Sequence, residues 1–392
     1  MHSNDSPLDS PADAAAFADL HPAANDDMAA QLHTHGFTFT GSGSEYFRIW
    51  IVNLFLTIVT LGIYSAWAKV RRMQYFDRNT QLAGASFDFD GDPKAILRGR
   101  VLAVVLLAAY QYAFGFSMAV GIGVVVTLLV MLPFMMRGAL RFRLRNTRYR
   151  GLRFNFSGSP AGAYTAYLPP LMIFLMPAVL VAIEPSGKLM ALLVPLYIAW
   201  PLMHGAMKRY QHRHLEFGSK QASFELAKRK FYKPYFAVLG LGVAGLLASV
   251  VAIAAVAFAI AALFDAGDAP VWAPMLGGVA FAYVIYLVAG PYIQVRVGNM
   301  AWSNTTFPGL TISSHLKARA YMRLQTANTI LTLLTLGLYR PFAVVRAYKY
   351  RLDHVTVQTD GSFEQTAAGV INSSRAASSD GVADLLGVDL SW

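Results

Sequence analysis

Apolar residues gather in long, nearly uninterrupted runs, and the runs come in pairs separated by short polar breaks. Residues 101–136 break only near Ser117, residues 165–206 at the EPSGK of residues 184–188, and residues 235–293 at the DAGDAP of residues 265–270. A run of about 18 or more apolar residues is long enough for a helix to cross a hydrocarbon core of roughly 30 Å. The pattern predicts a mostly α-helical membrane protein with six transmembrane helices in three hairpins.

Two shorter apolar stretches, near residues 47–66 and 327–343, carry the same phrase. Asn53 begins NLFLTIVTLGIY and Asn328 begins NTILTLLTLGLY, which share N-x-x-L-T-x-x-T-L-G-[IL]-Y. Agreement at that many fixed positions marks an internal duplication. Glycine after a β-branched run is a natural stop for a helix. Each phrase is therefore expected at the tip of a short re-entrant hairpin, with arms near 45–60 and 63–78, and near 317–335 and 339–352. A full crossing by each stretch would put the basic run Arg340, Arg346, Lys349 and Arg351 on the outer side, which the bias of cytoplasmic loops toward Lys and Arg disfavours.

Between the apolar runs the pattern switches to alternation about a glycine, the mark of a β-hairpin. NTQLAGASFDFDG starts at Asn79, NTRYRGLRFNFSG at Asn146 and NTTFPGLTISS at Asn304, with HLEFGSKQASFE and VTVQTDGSFE as looser versions. In the second, Phe154 and Phe156 are expected to face one way and Arg153 and Asn155 the other. A basic, helix-compatible segment precedes each hairpin, as in AKVRRMQYFDR and VVRAYKYRL. The repeat is strand, membrane hairpin, basic helix, strand, and five copies fit, the first opening with FTFTG at Phe37. Lone two-stranded hairpins are marginal in water, so the five should join into a β-hairpin cap. Pairing the last strand with FTFTG would remove its open edges.

Composition agrees with a membrane protein: 55% of the 392 residues are hydrophobic and 14% charged, where soluble domains carry about 25% charged residues. Charge then supplies an orientation. Segment 137–153 holds seven arginines and no acid, 207–234 eight Lys or Arg against two Glu, and 68–100 seven Lys or Arg against four Asp. The hairpin tips offer only Glu184, Lys188, Asp265 and Asp268. The basic segments and the cap are thus cytoplasmic, with both termini on that side of a bacterial inner membrane. The net charge of +11 is accounted for by these flanks without invoking nucleic acid. The absence of cysteine excludes disulfides and thiolate metal sites. Residues 1–35, with six aspartates and no Lys or Arg, read as a disordered acidic arm. Residues 36–365 read as the membrane domain with its cap, and residues 366–392 as a flexible tail in which GVADLLGVDLSW is helix-compatible.

Residues 37–100, FTFTGSGSEYFRIWIVNLFLTIVTLGIYSAWAKVRRMQYFDRNTQLAGASFDFDGDPKAILRGR, resemble the YjgN-like family of bacterial inner-membrane proteins. The motifs F-x-F-x-G, E-Y-F, N-L-F-L-T, T-L-G-I-Y-x-x-W-A-K-V-R and N-T carry the likeness, which extends over about 37–365. It implies a multi-pass inner-membrane protein of unknown function and supplies no catalytic residue.

The duplicated phrases hold the candidate functional residues: Asn53, Thr57, Thr60, Gly62 and Tyr64, matched by Asn328, Thr332, Thr335, Gly337 and Tyr339. Asn and the two Thr fall on one helix face, suited either to lining a permeation path or to hydrogen bonding between helices. Paired broken helices are also where transporters build sites. His204, His212, His214 and Glu216 have metal-like spacing, but Lys208, Arg209 and Arg213 disfavour a cation there, and no metal or cofactor is expected. The repeated Asn-Thr pairs suit helix-to-strand junctions, and Ser42 or Ser44 suits a helix cap. Basic helices with Tyr75, Phe76, Phe142, Tyr149, Tyr210 and Tyr348 are expected at the interface, meeting anionic head groups. No acid–base pair or nucleophile stands out. Two roles follow: transport or a channel-like function for an unidentified solute, or a non-catalytic membrane scaffold or lipid-interacting protein.

Overall fold

A computed structural model describes residues 32–264 and 272–360. Strands and helices alternate in a fivefold pattern. The first unit is β1 (Leu32–Phe39), α1 (Gly43–Val59), α2 (Ser65–Arg78) and β2 (Thr80–Leu82). The second is β3 (Ala85–Phe89), α3 (Pro93–Phe116), α4 (Met118–Arg145) and β4 (Thr147–Tyr149). The third is β5 (Leu152–Phe156), α5 (Pro160–Ile183), a 3-10 turn at Lys188–Leu193, α6 (Val194–Ile198), α7 (Trp200–Arg213) and β6 (Leu215–Phe217). The fourth has β7 (Lys220–Gln221), β8 (Ser223–Phe224), a 3-10 turn at Lys228–Phe231, α8 (Tyr232–Phe264), α9 (Trp272–Trp302) and β9 (Thr305–Phe307). The fifth is β10 (Leu310–Ser314), α10 (Ala318–Leu334), α11 (Arg340–Leu352) and β11 (Val355–Asp360).

All strands join one antiparallel sheet in the order β7-β6-β5-β4-β3-β2-β1-β11-β10-β9-β8. The two ends of that order are one piece of chain. Only Ala222 separates β7, which pairs with β6, from β8, which pairs with β9. The Ala222 N–H donates to the Leu215 carbonyl at 2.8 Å, so segment 220–224 closes the sheet into a ring. The first and last strands pair, which removes open edges, but through Leu32–Gly36 on Thr356–Asp360 and not through the expected FTFTG, whose Phe37–Phe39 pair with β2. Tight turns link the other units, with left-handed backbone at Ala83 and Gly84 and again at Arg150 and Gly151, the conformation that two-residue hairpins require.

Leu82, Tyr149, Leu152, Phe217 and Val357 come from five different strands and are buried together, with Phe87, Phe154 and Phe307 packed on them. The ring is thus filled with side chains. Phe154 lies in this filling, while Phe156, two residues on and on the same strand face, packs with Tyr167 and Tyr210 where the ring meets its helices.

Among the described residues, four helices are long and apolar enough to cross a membrane: α3, α4, α5 and the Lys228–Ala248 stretch that includes the start of α8. A fifth counts if Lys188–Ile198 and α7 form one span bent by 51°. The continuous second span expected over the end of residues 165–206 is therefore broken. Pro195 and Pro201 each sit in the first turn of a new helix segment, where proline is tolerated but cannot extend the preceding helix.

Further differences are local. Leu32–His35, expected in the acidic arm, belong to β1; the rest of that arm, the DAGDAP tip and the tail 366–392 lie outside the described residues. VTVQTDGSFE is not a hairpin in itself over Val355–Asp360, which pair instead with β1 and β10. The aromatics expected at the interface are largely core: Tyr75, Phe76, Phe142 and Tyr210 are buried because each basic helix turns that face toward its own strands, and Tyr149, on β4, is buried in the ring filling.

One junction recurs in every unit. A residue one or two places past the last helix of the unit bonds back four residues to a carbonyl: Asn79 to Tyr75, Asn146 to Phe142, His214 to Tyr210, Asn304 to Met300 and His354 to Tyr350, at 2.7–2.9 Å. For both histidines the acceptor is a carbonyl, so Nδ1 carries the proton. Thr80, Thr147 and Thr305 add a second bond of the same span. These side chains satisfy carbonyls that a helix end leaves unpaired, which is the structural role the Asn-Thr pairs suggested.

The other side of the junction is a phenylalanine folded over a glycine. A Cβ on Gly41, Gly91 or Gly158 would lie 2.7, 2.5 or 2.4 Å from the ring of Phe39, Phe89 or Phe156. Phe89 is fully buried among Ala66, Val70, Ile96 and Phe142. Phe89→Ala should lower stability by about 3–5 kcal/mol, read as a large fall in the thermal midpoint of the detergent-solubilised protein.

Candidate functional site

The two duplicated phrases fold into the same turn, atom for atom. α1 ends at Val59 and α10 at Leu334, and in each the next Leu-Gly pair enters left-handed backbone: Leu61 at φ 49° and Gly62 at 91°, Leu336 at 49° and Gly337 at 94°. The Gly62 N–H donates to Thr57 O and the Gly337 N–H to Thr332 O, both at 2.7 Å. Glycine takes this conformation freely. Leucine does so at a cost of about 1–2 kcal/mol, so the same strain is held in both copies.

The threonines build the turn. Thr60 Oγ1 donates to Leu56 O at 2.7 Å and accepts from the Tyr64 N–H at 2.9 Å. Thr335 repeats both contacts with Leu331 and Tyr339 at the same distances. Thr57 and Thr332 donate at 2.6 Å to the carbonyls of Asn53 and Asn328. All four hydroxyl protons are therefore spent on the helix that carries them. Tyr64 and Tyr339 open the second arms. Tyr64 stacks on Trp67 with Arg71 over its ring. Tyr339 stacks on Phe342 and accepts from Arg346 at 2.6 Å.

Asn53 and Asn328 are the buried members of the set, and the Oδ1 of each has no hydrogen-bond partner among the described residues. Asn328 Nδ2 donates to Ala343 O on α11 at 3.2 Å, pinning the two arms of its hairpin. The two hairpins are neighbours in the ring. α1 packs on α11, Phe47 stacks on Phe342 with centroids 5.7 Å apart, and the ring of Phe342 fills the space a side chain at Gly43 would need. The fold thus brings the two copies side by side.

At the ring end of the first hairpin, Ser42 caps α1 by accepting from the Glu45 N–H at 3.2 Å. Tyr75 donates to Ser42 O at 2.8 Å. Burial, then the neighbouring Glu45 carboxylate, push the Tyr75 phenol up to about 12, so it keeps the proton it donates. Tyr210 and Tyr350 make the equivalent bond to Ser159 O and Lys317 O. Neither this bond nor the phenylalanine over glycine was anticipated, although F-x-G recurs visibly at 39–41, 89–91 and 156–158.

The histidine cluster is dispersed. His212 and His214 lie at the end of a helix rather than on a strand, so their rings diverge. His204 meets the Tyr235 hydroxyl, His212 bonds Thr305 at 2.9 Å and His214 bonds Tyr210 O. Thr305 gives its proton to Ala301 O and therefore accepts from His212. No cluster of three metal-ligating side chains occurs among the described residues.

A family model described as "Bacterial protein of unknown function (DUF898)" matches residues 34–385. The inner membrane protein YjgN of Escherichia coli strain K12 is 37% identical over 147 residues, 36% of each chain. Its counterpart in Salmonella typhimurium strain LT2 is 28% identical over 152 residues, 38% of each chain. The matched segment covers little more than a third of the length of these curated relatives. No solved structure matches.

Gly62→Ala should destabilise the hairpin by about 1–2 kcal/mol, since it adds a Cβ at positive φ, whereas Leu61→Gly should relieve strain at the neighbouring position. Thermal midpoints in detergent that move in opposite directions for the two variants would bear this out.

Proposed function

This chain belongs to the DUF898 family of bacterial proteins of unknown function, and on that premise we propose that it is a multi-pass inner-membrane scaffold that presents a closed β-ring at the cytoplasmic face. The ring filled with side chains carries this reading. A cap packed with Tyr149, Phe217 and Leu152 suits a rigid docking surface better than a vestibule. Each hairpin returns to the ring, which favours both termini on the ring side, and the arginine-rich helices next to the ring favour that side being cytoplasmic. Three long hairpins then supply six crossings.

The two short hairpins enter the membrane from the ring side and turn back. Leu61 and Leu336 are 94% and 95% exposed, with Ile58, Val59, Ile63, Leu333, Leu334 and Leu338 exposed around them. Each such side chain gains roughly 1.5–3 kcal/mol on leaving water, so lipid is the favoured surrounding. α1, at 17 residues, reaches about 25 Å, and α2 brings Lys69, Arg71 and Arg72 within two turns of the tip, which opposes a crossing. Anionic head groups are the partners this basic collar suits.

A transport role retains one supporting observation, the unpartnered, buried Oδ1 atoms of Asn53 and Asn328. The hydroxyls that would have lined a path with them are occupied by their own helices, which is why the scaffold reading is preferred.

The chain has no cysteine, so single cysteines report topology cleanly. In intact spheroplasts a membrane-impermeant maleimide should leave Ser3→Cys, Leu61→Cys and Leu336→Cys unlabelled, and lysis should expose Ser3→Cys alone. Labelling of either tip from the periplasmic side would overturn the re-entrant arrangement, and labelling of Ser3→Cys before lysis would overturn the orientation.

A further inference from the structure

The ring closes on its shortest strands, and a cavity of about 380 Å³ lies at that closure. Its walls come from two units. Arg209 and Arg213 project from the last turn of α7, and Gln221, Ala222, Ser223, Phe224 and Glu225 come from the closing segment. The two arginines are four residues apart and so stack on one helix face about 6 Å apart along the axis. Both are exposed, and no hydrogen bond or ion pair occupies either guanidinium among the described residues. The opposite wall is ordered: Gln221 Nε2 reaches Ser157 Oγ at 3.2 Å, and the Ser223 hydroxyl meets that of Thr306 at 2.6 Å.

Charge around the cavity is lopsided. Glu225 is the one acid lining it, against two arginines. The 3-10 turn that follows packs Phe231 against Gly205 of α7 and carries Lys228, Arg229 and Lys230, all exposed. Two arginines thus face one carboxylate in the cavity, and three more cations follow within five residues along the chain. Directly beyond them α8 begins, with Phe236, Leu239, Val243 and Leu247 exposed. A cationic cavity therefore sits at the foot of an apolar helix, the arrangement a phospholipid presents in reverse: an anionic phosphate joined to apolar chains.

We propose that the cavity at the ring closure, between Arg209 and Arg213 on one side and residues 221–225 on the other, is a binding site for the phosphodiester of an anionic glycerophospholipid whose acyl chains lie along α8. The guanidiniums supply fork-shaped donors to the phosphate oxygens. The ligand bridges the third and fourth units where β7 and β8 contribute only two residues each, so its occupancy braces the closure. The inference rests on the membrane placement proposed above, which cysteine labelling tests independently.

The test uses the full chain in zwitterionic detergent, titrated with a phosphatidylglycerol, with a phosphatidylcholine of the same chains, and with inorganic phosphate. The readouts are thermal midpoint and lipid retained in native mass spectra. Phosphatidylglycerol should raise the midpoint and remain bound, and phosphatidylcholine should do neither. The double variant Arg209→Gln/Arg213→Gln should bind about 30-fold more weakly, the loss of two cations at an anionic surface. Its lipid-free midpoint should be unchanged. Lys94→Gln/Arg98→Gln, an exposed pair of the same spacing on α3, should bind as the parent does. Glu225→Gln should bind more tightly, a gain that no folding defect can imitate. Equal retention of both lipids, undiminished binding by the double variant, or no gain in Glu225→Gln would each overturn the proposal. An equal midpoint shift with inorganic phosphate would assign the site to free phosphate instead. Failure here with the labelling pattern intact would leave the scaffold reading standing.

Discussion

Backbone hydrogen bonding around the ring governs the rest of this molecule. A β-edge left open is a row of unpaired donors and acceptors, and only closure removes it. Because each unit contributes a strand before its helical hairpin and another after it, closure obliges every hairpin to return to the side from which it left. The ring therefore decides what the helices do. Five hairpins of very different length, from the 17 and 13 residues of α10 and α11 to the 33 and 31 residues of α8 and α9, are held on one frame by the same strand pairing.

Uniformity at the frame comes from a small set of side chains. The last helical turn is fixed by Asn or His bonding back four residues, and the outgoing strand by a phenylalanine lying over a glycine. The substitution of His214 and His354 for Asn is chemically conservative here, since both residue types present an N–H at the right reach. The fourth and fifth units lack the phenylalanine-over-glycine pair in its full form: Phe224 is followed by Glu225 and Leu226, and Ser314 replaces the ring altogether. In the fifth unit Ser314 is instead bonded to Asn299 at 2.8 Å, a polar solution at a place where the others use an apolar one.

Much of this was legible in the sequence because its signals are local. Paired apolar runs gave the hairpins, alternation about Gly84, Gly151 and Gly309 gave the strand turns, and the repeated T-L-G gave two matching bends. Each follows from the preferences of a few neighbouring residues. What was missed is non-local or depends on orientation. KQASF at 220–224 has nothing to mark it as the point where a sheet closes, since both its partners are distant in sequence. The aromatics of the basic helices were assigned to the membrane interface because composition alone cannot say which helix face turns inward. The bend before α7 was hidden within a run apolar enough to read as one span. At the duplicated phrases the sequence marked where the two matching turns fall, yet spacing could not reveal that Thr57 and Thr60 bond their own backbone.

The way β1 is shared between two neighbours also bears on how the chain is made. Phe37–Phe39 pair with β2, some 40 residues downstream, but Leu32–Gly36 pair only with β11, which emerges more than 300 residues later. At roughly 5–20 residues per second, the front half of the first strand waits on the order of 15–60 seconds for its partner while four further hairpins are synthesised. Joining the start of the ring to its last strand is thus a late event, and a ribosome stalled short of residue 355 would leave Leu32–Gly36 unfastened.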